Sequence, residues 1–300
     1  MKHDRVIALG FFDGVHLGHA ALLRLTRRRA DELGIPAAVL TFDTHPDTLV
    51  YHQPVPLINT LEDRKYLMEE KFSMDEVILA HFDRAMMEMP WEAFVEDYLL
   101  GELGAKHVVC GHDFSFGYRG QGTPDKLRRL CAQRGVGVNV VDKVSLGGIT
   151  VSSTHIRQLI RQGDMEAAAQ MLGHRHFLSG EVLHGKELGR RLGFPTANLA
   201  LPEGLIAPAY GVYATLVTLP DGSAHPAVTN VGVRPTVHDQ LGRLVEAWIL
   251  DCTAELYGEK IRVEFFTRLR GEKKFDSLEA LREEVLRNAD ETRAFFQNRL

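Results

Sequence analysis

The stretch GFFDGVHLGHAALL, residues 10–23, sets His16 and His19 three positions apart, where an apolar run breaks at Asp13-Gly14 and an amphipathic helix begins. Two imidazoles there would fall on one side of a first helical turn, at a favoured site for phosphate. A helix start already directs open N–H groups and its positive dipole end at an anion, and residues three apart share a face. Gly14 and Gly18 would let the backbone approach such a ligand closely. Two other readings stay open. Zinc would take both histidines with Asp13 as a third ligand, although helical zinc pairs are more often spaced by four and catalytic zinc needs three protein ligands plus water. The histidines would otherwise only cap or line the turn.

Three further stretches carry candidate chemistry. In VSSTHIRQL, residues 151–159, the hydroxyls of Ser152, Ser153 and Thr154 stand at a helix start with Arg157 one turn in. That is an ordinary N-cap taken alone, and half of a triphosphate cradle when combined with the histidine turn. In GKELGRRLGFPTANLAL, residues 185–201, Gly189 and Gly193 permit a tight loop and Pro195 stiffens the entry to Thr196 and Asn198. Those two side chains fall on one side of an extended chain, and their oxygens with ATP and water would suit Mg²⁺, which accepts few protein ligands. Turn chemistry in a hairpin would explain the same residues. Glu246 is the only acid inside LVEAWIL. A carboxylate in an apolar strand is costly unless it faces a site, which makes it a candidate general base, the alternative being an outward-facing residue on an edge strand.

The elements that must position these residues follow from the hydropathy pattern. Apolar runs VIALGFF (6–12), AAVLTF (37–42), EVILAHF (76–82), KHVVCG (106–111) and VNVVDKV (138–144) alternate with amphipathic helical segments. Continuous apolar runs are what strands buried on both faces require, so the first half is predicted to be an α/β domain with a doubly wound parallel sheet. Such sheets bind ligands at the carboxyl ends of their strands, and GFFDGVHLGH is the first strand-to-helix turn. From about residue 174 the pattern changes to glycine- and proline-punctuated short strands, SGEVLHG, GVYATLVTL, HPAVTNVG, LVEAWILD and KIRVEFFTRL. Ile261, Val263 and Phe265 alternate with Arg262 and Glu264 there, which predicts a small antiparallel β-barrel with one wet face. A terminal helix follows, N-capped by Ser277 with Ala280 at N3. DMEAAAQMLGHR, residues 164–175, is predicted to join domains spanning 1–173 and 174–300.

Composition removes other classes. A net charge of −5 leaves no broad basic face for nucleic acid, and the run Thr26-Arg27-Arg28-Arg29 reads as a solvated helix face. Cys110, Cys131 and Cys252 are scattered without a paired spacing, which points to a reducing compartment and to neither a disulfide framework nor a zinc site. The apolar run before Asp13 is too short to span a membrane and lacks a small-residue cleavage site. A cytoplasmic protein without a membrane or nucleic-acid partner is expected, its oligomeric state left open.

GFFDGVHLGH with SSTHIR resembles the H-x-G-H nucleotidyltransferase superfamily, and LTFDTHP (40–46) with GHDFSFG (111–117) resembles its FAD synthetase branch. The resemblance implies adenylylation of FMN by ATP to FAD and pyrophosphate. His16, His19 and Arg157 would then be catalytic, Gly10, Phe12, Asp13, Gly18, Ser153 and Thr154 would line the ATP, and Asp113 and Phe114 would contact the flavin substrate. An Asx-turn would equally explain Asp113. GRRLGFPTANL, GVY, TNVGVRPTV, LVEAWILD and LYGEKIRVEFFTRLRGEKKF resemble the riboflavin kinase family in content and order. That likeness implies transfer of the ATP γ-phosphate to riboflavin, giving FMN and ADP. Glu246 would be the base, Gly189, Arg190 and Gly193 the ATP loop, and Thr196 and Asn198 the Mg²⁺ ligands. Trp248 stands where the family often has histidine, and Cys252 follows Asp251 where it often has phenylalanine. A chain with one working site, or a flavin-responsive binding protein without turnover, would retain similar motifs.

Overall fold

In the computed structural model, which describes residues 4–185, 189, 192–233, 243–297 and 299, the chain divides at Ser153/Thr154 into two compact units. The first carries a five-stranded sheet in the order β3-β2-β1-β4-β5. Its strands are β1 (Arg5–Leu9), β2 (Ala37–Phe42), β3 (Glu76–Ala80), β4 (Ala105–Gly111) and β5 (Gly137–Val141). Every pairing is parallel, as the continuous apolar runs predict. Residues such as Val6, Ile7, Ala38, Val39 and Val108 are fully buried because helices cover both faces. The chain builds outward from β1 to β2 and β3 on one side and to β4 and β5 on the other. The switch point therefore lies between β1 and β4, where doubly wound sheets open a crevice for ligands. A two-stranded hairpin, β6 (Ser145–Leu146) and β7 (Ile149–Thr150), follows β5.

The second unit is a six-stranded antiparallel barrel in the order β8-β13-β10-β11-β12-β9. Its strands are β8 (His176–Glu181), β9 (Ala197–Ala200), β10 (Gly211–Thr218), β11 (Ala224–Val233), β12 (Arg243–Ile249) and β13 (Lys260–Arg270). The two end strands approach each other where Leu183, just past β8, bridges antiparallel to Asn198 of β9, with Leu183 N donating to Asn198 O at 2.8 Å. The predicted alternation holds in β13, where Ile261, Val263 and Phe265 are buried. The helices Ser153–Gln162 and Met165–Leu172 both precede the barrel. The second buries Met165, Ala168, Met171 and Leu172. The C-terminal helix Leu278–Gln297 begins as expected, Ala280 N donating to Ser277 Oγ at 3.1 Å. Arg270 holds that helix to β13 through Asn288 Oδ1 at 3.0 Å.

His176 is a titratable residue in the barrel core. It is fully buried beside Phe265, with neither ring nitrogen hydrogen-bonded. Burial, helped by His174, pushes its pKa down to about 3. The unfolded chain therefore binds a proton near the ordinary histidine value that the folded barrel refuses, so this group costs stability as pH falls from about 6.5 toward 3. Between pH 7.5 and pH 5 the wild-type protein should lose about 2 kcal/mol more than His176→Leu. Urea unfolding of both at the two pH values checks this; equal losses would mean that His176 is protonated in the folded state.

Candidate active sites

The turn after β1 is built to hold two imidazoles. Phe12 and Val15 take left-handed backbone angles, φ 60° and 40°, around Gly14 at φ 78°. The chain thus doubles back before the helix Leu17–Leu33 begins. Phe12 is a bulky residue in a region that favours glycine, a strained conformation of the kind that clusters at functional sites. Its ring is fully buried. Gly10 makes room for it, since a Cβ there would lie 3.1 Å from the Phe12 ring.

His16 is the N-cap of that helix, its Nδ1 accepting from His19 N at 3.3 Å. The two rings stack at 3.6 Å with planes 13° apart. Gly18 permits this packing, because a Cβ there would sit 3.0 Å from the His16 ring. Burial, then His16, then Arg64 hold the His19 pKa well below the ordinary histidine value, so His19 is neutral. Asp13 is buried and its Oδ1 accepts Ile58 N at 2.8 Å, which anchors the turn rather than a metal. Among the described residues no three His, Cys, Asp or Glu side chains are grouped to hold a metal ion, which removes the zinc reading there.

Ser153 Oγ donates to the Asp13 carbonyl at 2.9 Å, tying the start of SSTHIR to the histidine turn. Thr154 and Arg157 belong to the helix Ser153–Gln162 of the second unit, on its first turn and the next. Asp113 and Phe114 follow β4, on the other side of the switch point from the histidines. Asp113 is largely exposed, whereas Phe114 stacks on Phe116 at 5.5 Å. Arg64 was missed by sequence reasoning. It is 2% exposed and reaches the end of β1 from the short helix Leu61–Tyr66.

In the barrel, β12 lies between β11 and β9, so Glu246 is not on an edge strand. Val245, Ala247 and Ile249 are buried on one face of β12, and Glu246 and Trp248 take the other. Glu246 pairs across the sheet with Asn230 and with Asn198, which aligns three polar side chains on one face. A cavity of about 350 Å³ opens beside them, lined among others by Gly189, Thr196, Asn230, Glu246, Trp248 and Arg270. Trp248, one of the departures from the family pattern, is part of its wall and packs on Phe194 at 5.7 Å.

Gly189 permits a tight turn, Phe194 N donating to its carbonyl at 2.9 Å while a Cβ on Gly189 would lie 2.5 Å from Phe194 O. Gly193 takes φ 91° in the same loop, and Arg190 lies outside the described residues. Asn198 is buried and donates its amide Nδ2 to Thr196 O at 3.1 Å; its Oδ1 is of the oxygen type that a hard cation takes. A Cβ at Gly185 would lie 2.6 Å from that amide, so the cradle around Asn198 depends on glycine. Hydroxyl, amide and carboxylate oxygens without thiolate or imidazole fit a hard divalent cation.

Comparison with known proteins gives each half of the chain a family. Residues 1–155 match the family model for FAD synthetase and residues 172–296 that for riboflavin kinase. Relatives described as bifunctional riboflavin kinase/FMN adenylyltransferase include one from Listeria monocytogenes, 37% identical over 98% of this chain and 93% of its own length. The chain belongs to this bifunctional family. Another member, from Haemophilus influenzae, is 36% identical over 97% of this chain and 94% of that protein. A crystal structure of a Streptococcus pneumoniae protein named as a macrolide-efflux protein superposes with TM-score 0.85 at 30% identity, covering 98% of this chain and 95% of that one. It shares the family fold; among the described residues here, no helix is long and apolar enough to cross a membrane.

Proposed function

We propose that the chain makes FAD from riboflavin in two ATP-dependent steps, phosphorylation in the barrel and adenylylation in the parallel-sheet domain. The observation that carries the reading is the alignment of Glu246 with Asn198 and Asn230 beside a cavity, together with the stacked His16–His19 turn in the other unit.

In the barrel, riboflavin occupies the cavity with its isoalloxazine toward Trp248. Glu246 takes the proton from the ribityl 5′-hydroxyl as that oxygen attacks the γ-phosphorus, the bond to the bridging oxygen breaks and ADP leaves. The Gly189–Gly193 loop with Arg190 holds the nucleotide. Thr196 and Asn198 hold Mg²⁺, which supplies charge neutralisation on the phosphates when bound.

In the sheet domain an FMN phosphate oxygen attacks the α-phosphorus of ATP and pyrophosphate departs. No protein nucleophile is needed, so the residues position the substrates and stabilise charge. His16 and His19 act on the α-phosphate, with Gly10, Phe12, Asp13 and Gly18 shaping the nucleotide pocket through their backbone. Ser153, Thr154 and Arg157 take the β- and γ-phosphates, and Asp113 and Phe114 meet the flavin substrate. The free cysteines Cys110, Cys131 and Cys252 suit a cytoplasmic setting.

The division of labour is tested by fragments. Residues 174–300 alone should fold, phosphorylate riboflavin and form no FAD. Residues 154–300, which keep the helix that buries Met165, Met171 and Leu172, should do the same with a higher melting temperature. A folded fragment that cannot make FMN would refute the assignment.

A further inference from the structure

We infer that Arg64 is a positioning residue for adenylyl transfer: its guanidinium ties the Phe11 carbonyl, immediately before the His16–His19 turn, to the Phe42 carbonyl at the end of β2. This rests on reading that turn as the transfer site.

Arg64 lies in LEDRKYLMEEKF, an amphipathic segment by pattern, and is among the most buried large side chains of the described residues. Its Nη1 donates to Phe11 O at 2.7 Å and its Nη2 to Phe42 O at 2.9 Å. One planar guanidinium thus links the carboxyl ends of β1 and β2. Thr41 Oγ1 donates to the same Phe11 carbonyl at 2.8 Å, and the Arg64 Cζ stands 4.2 Å from the Phe11 ring centroid. The next residue, Phe12, begins the left-handed turn, so the bonds to Phe11 pin the chain immediately before the strained segment.

The charge on Arg64 is retained at high cost. Burial pushes its pKa down to about 10, against the opposing pull of Asp13 and Asp43, and it stays protonated at neutral pH. Its hydrogen bonds go to neutral carbonyl oxygens, and its Nε has no partner. Burying a cation costs stability unless partners offset it, and here part of its field also falls on His19. The titratable and charged groups around this pair are His16 on the same helix as His19, Asp13 in the turn, Asp43 after β2, Asp63 beside Arg64, and His45 against Phe11. A neutral His19 donates one N–H to a phosphate oxygen. Arg64 opposes its protonation, so activity that requires the neutral ring persists to lower pH with Arg64 than without it.

The test uses the full chain with FMN and ATP across pH 5–9, with riboflavin phosphorylation as the internal control and thermal unfolding by circular dichroism as the check on folding. Arg64→Met should lower kcat for FAD formation by about 10²-fold, the scale of a displaced catalytic group. Its acid limb should lie at higher pH than in the wild type, and its kinase rate should be unchanged. Arg64→Lys should recover most of the rate and return the limb. Arg64→Gln, which keeps a donor without the charge, should show the displaced limb, and it decides the matter should Arg64→Met fail to fold. A folded Met or Gln variant with a wild-type rate or a wild-type acid limb overturns the inference, as does a Lys variant no better than Met. Retention of full FAD formation by His19→Ala would instead refute the transfer site itself, whatever the Arg64 variants do.

Discussion

Glu246→Gln is expected to lose about 10²- to 10⁴-fold in kcat for riboflavin phosphorylation, the usual worth of a positioned general base. A ribityl hydroxyl is a weak nucleophile at neutral pH, and glutamine keeps the shape of the side chain while removing its basicity. Asn198 and Asn230 flank Glu246 in register, so the amide would still be accommodated on this polar face of the barrel. The KM for ATP should change little, because Thr196, Asn198 and the glycine loop remain to bind the nucleotide. FMN supplied directly should still be adenylylated at the wild-type rate. A variant that keeps most of its kinase kcat would make Glu246 structural and send the search for the base elsewhere.

His16→Ala and His19→Ala should each lower FAD formation by roughly 10²-fold or more, as loss of one preorganised donor to a developing charge does. Kinase turnover should survive in both. The stacked geometry adds a complication for His16, whose Nδ1 also caps the helix, and removing a cap costs about 1 kcal/mol by itself. His16→Asn separates the two effects, since asparagine is a good cap but carries no imidazole. It should restore stability without restoring FAD formation. If the cap alone accounted for the loss, the asparagine variant would recover the activity.

The parallel sheet was legible in the sequence because strands covered on both faces are written as unbroken apolar runs, and AAVLTF is buried at every position. The barrel was legible in alternation, best seen in β13. The histidine turn stood out through its glycines and spacing, and Thr196 and Glu246 do line one cavity although 50 positions of sequence separate them. Other features could not be read. Arg64 sits between Asp63 and Lys65 in a run of charges, and nothing local distinguishes a guanidinium that reaches inward to two carbonyls from one in solvent. His176 reads as one of several scattered histidines, and only the packing against Phe265 reveals it as core. Thr26, read with the arginine run as solvated, is instead fully buried, its hydroxyl satisfied by Leu22 O at 2.8 Å within the helix. The placements of Arg64 and His176 depend on tertiary contacts across distant positions, which periodicity does not encode.

The most direct test of the account is the fate of riboflavin incubated with the intact protein, ATP and Mg²⁺, followed over time by separation of the flavins. Riboflavin should fall, FMN should rise first and FAD should follow, with ADP and pyrophosphate both released. Chelation of the divalent cation should stop FMN formation. Accumulation of FMN with no FAD, under conditions where added FMN and ATP also give none, would contradict the adenylylation site, and riboflavin left unchanged would contradict the barrel's.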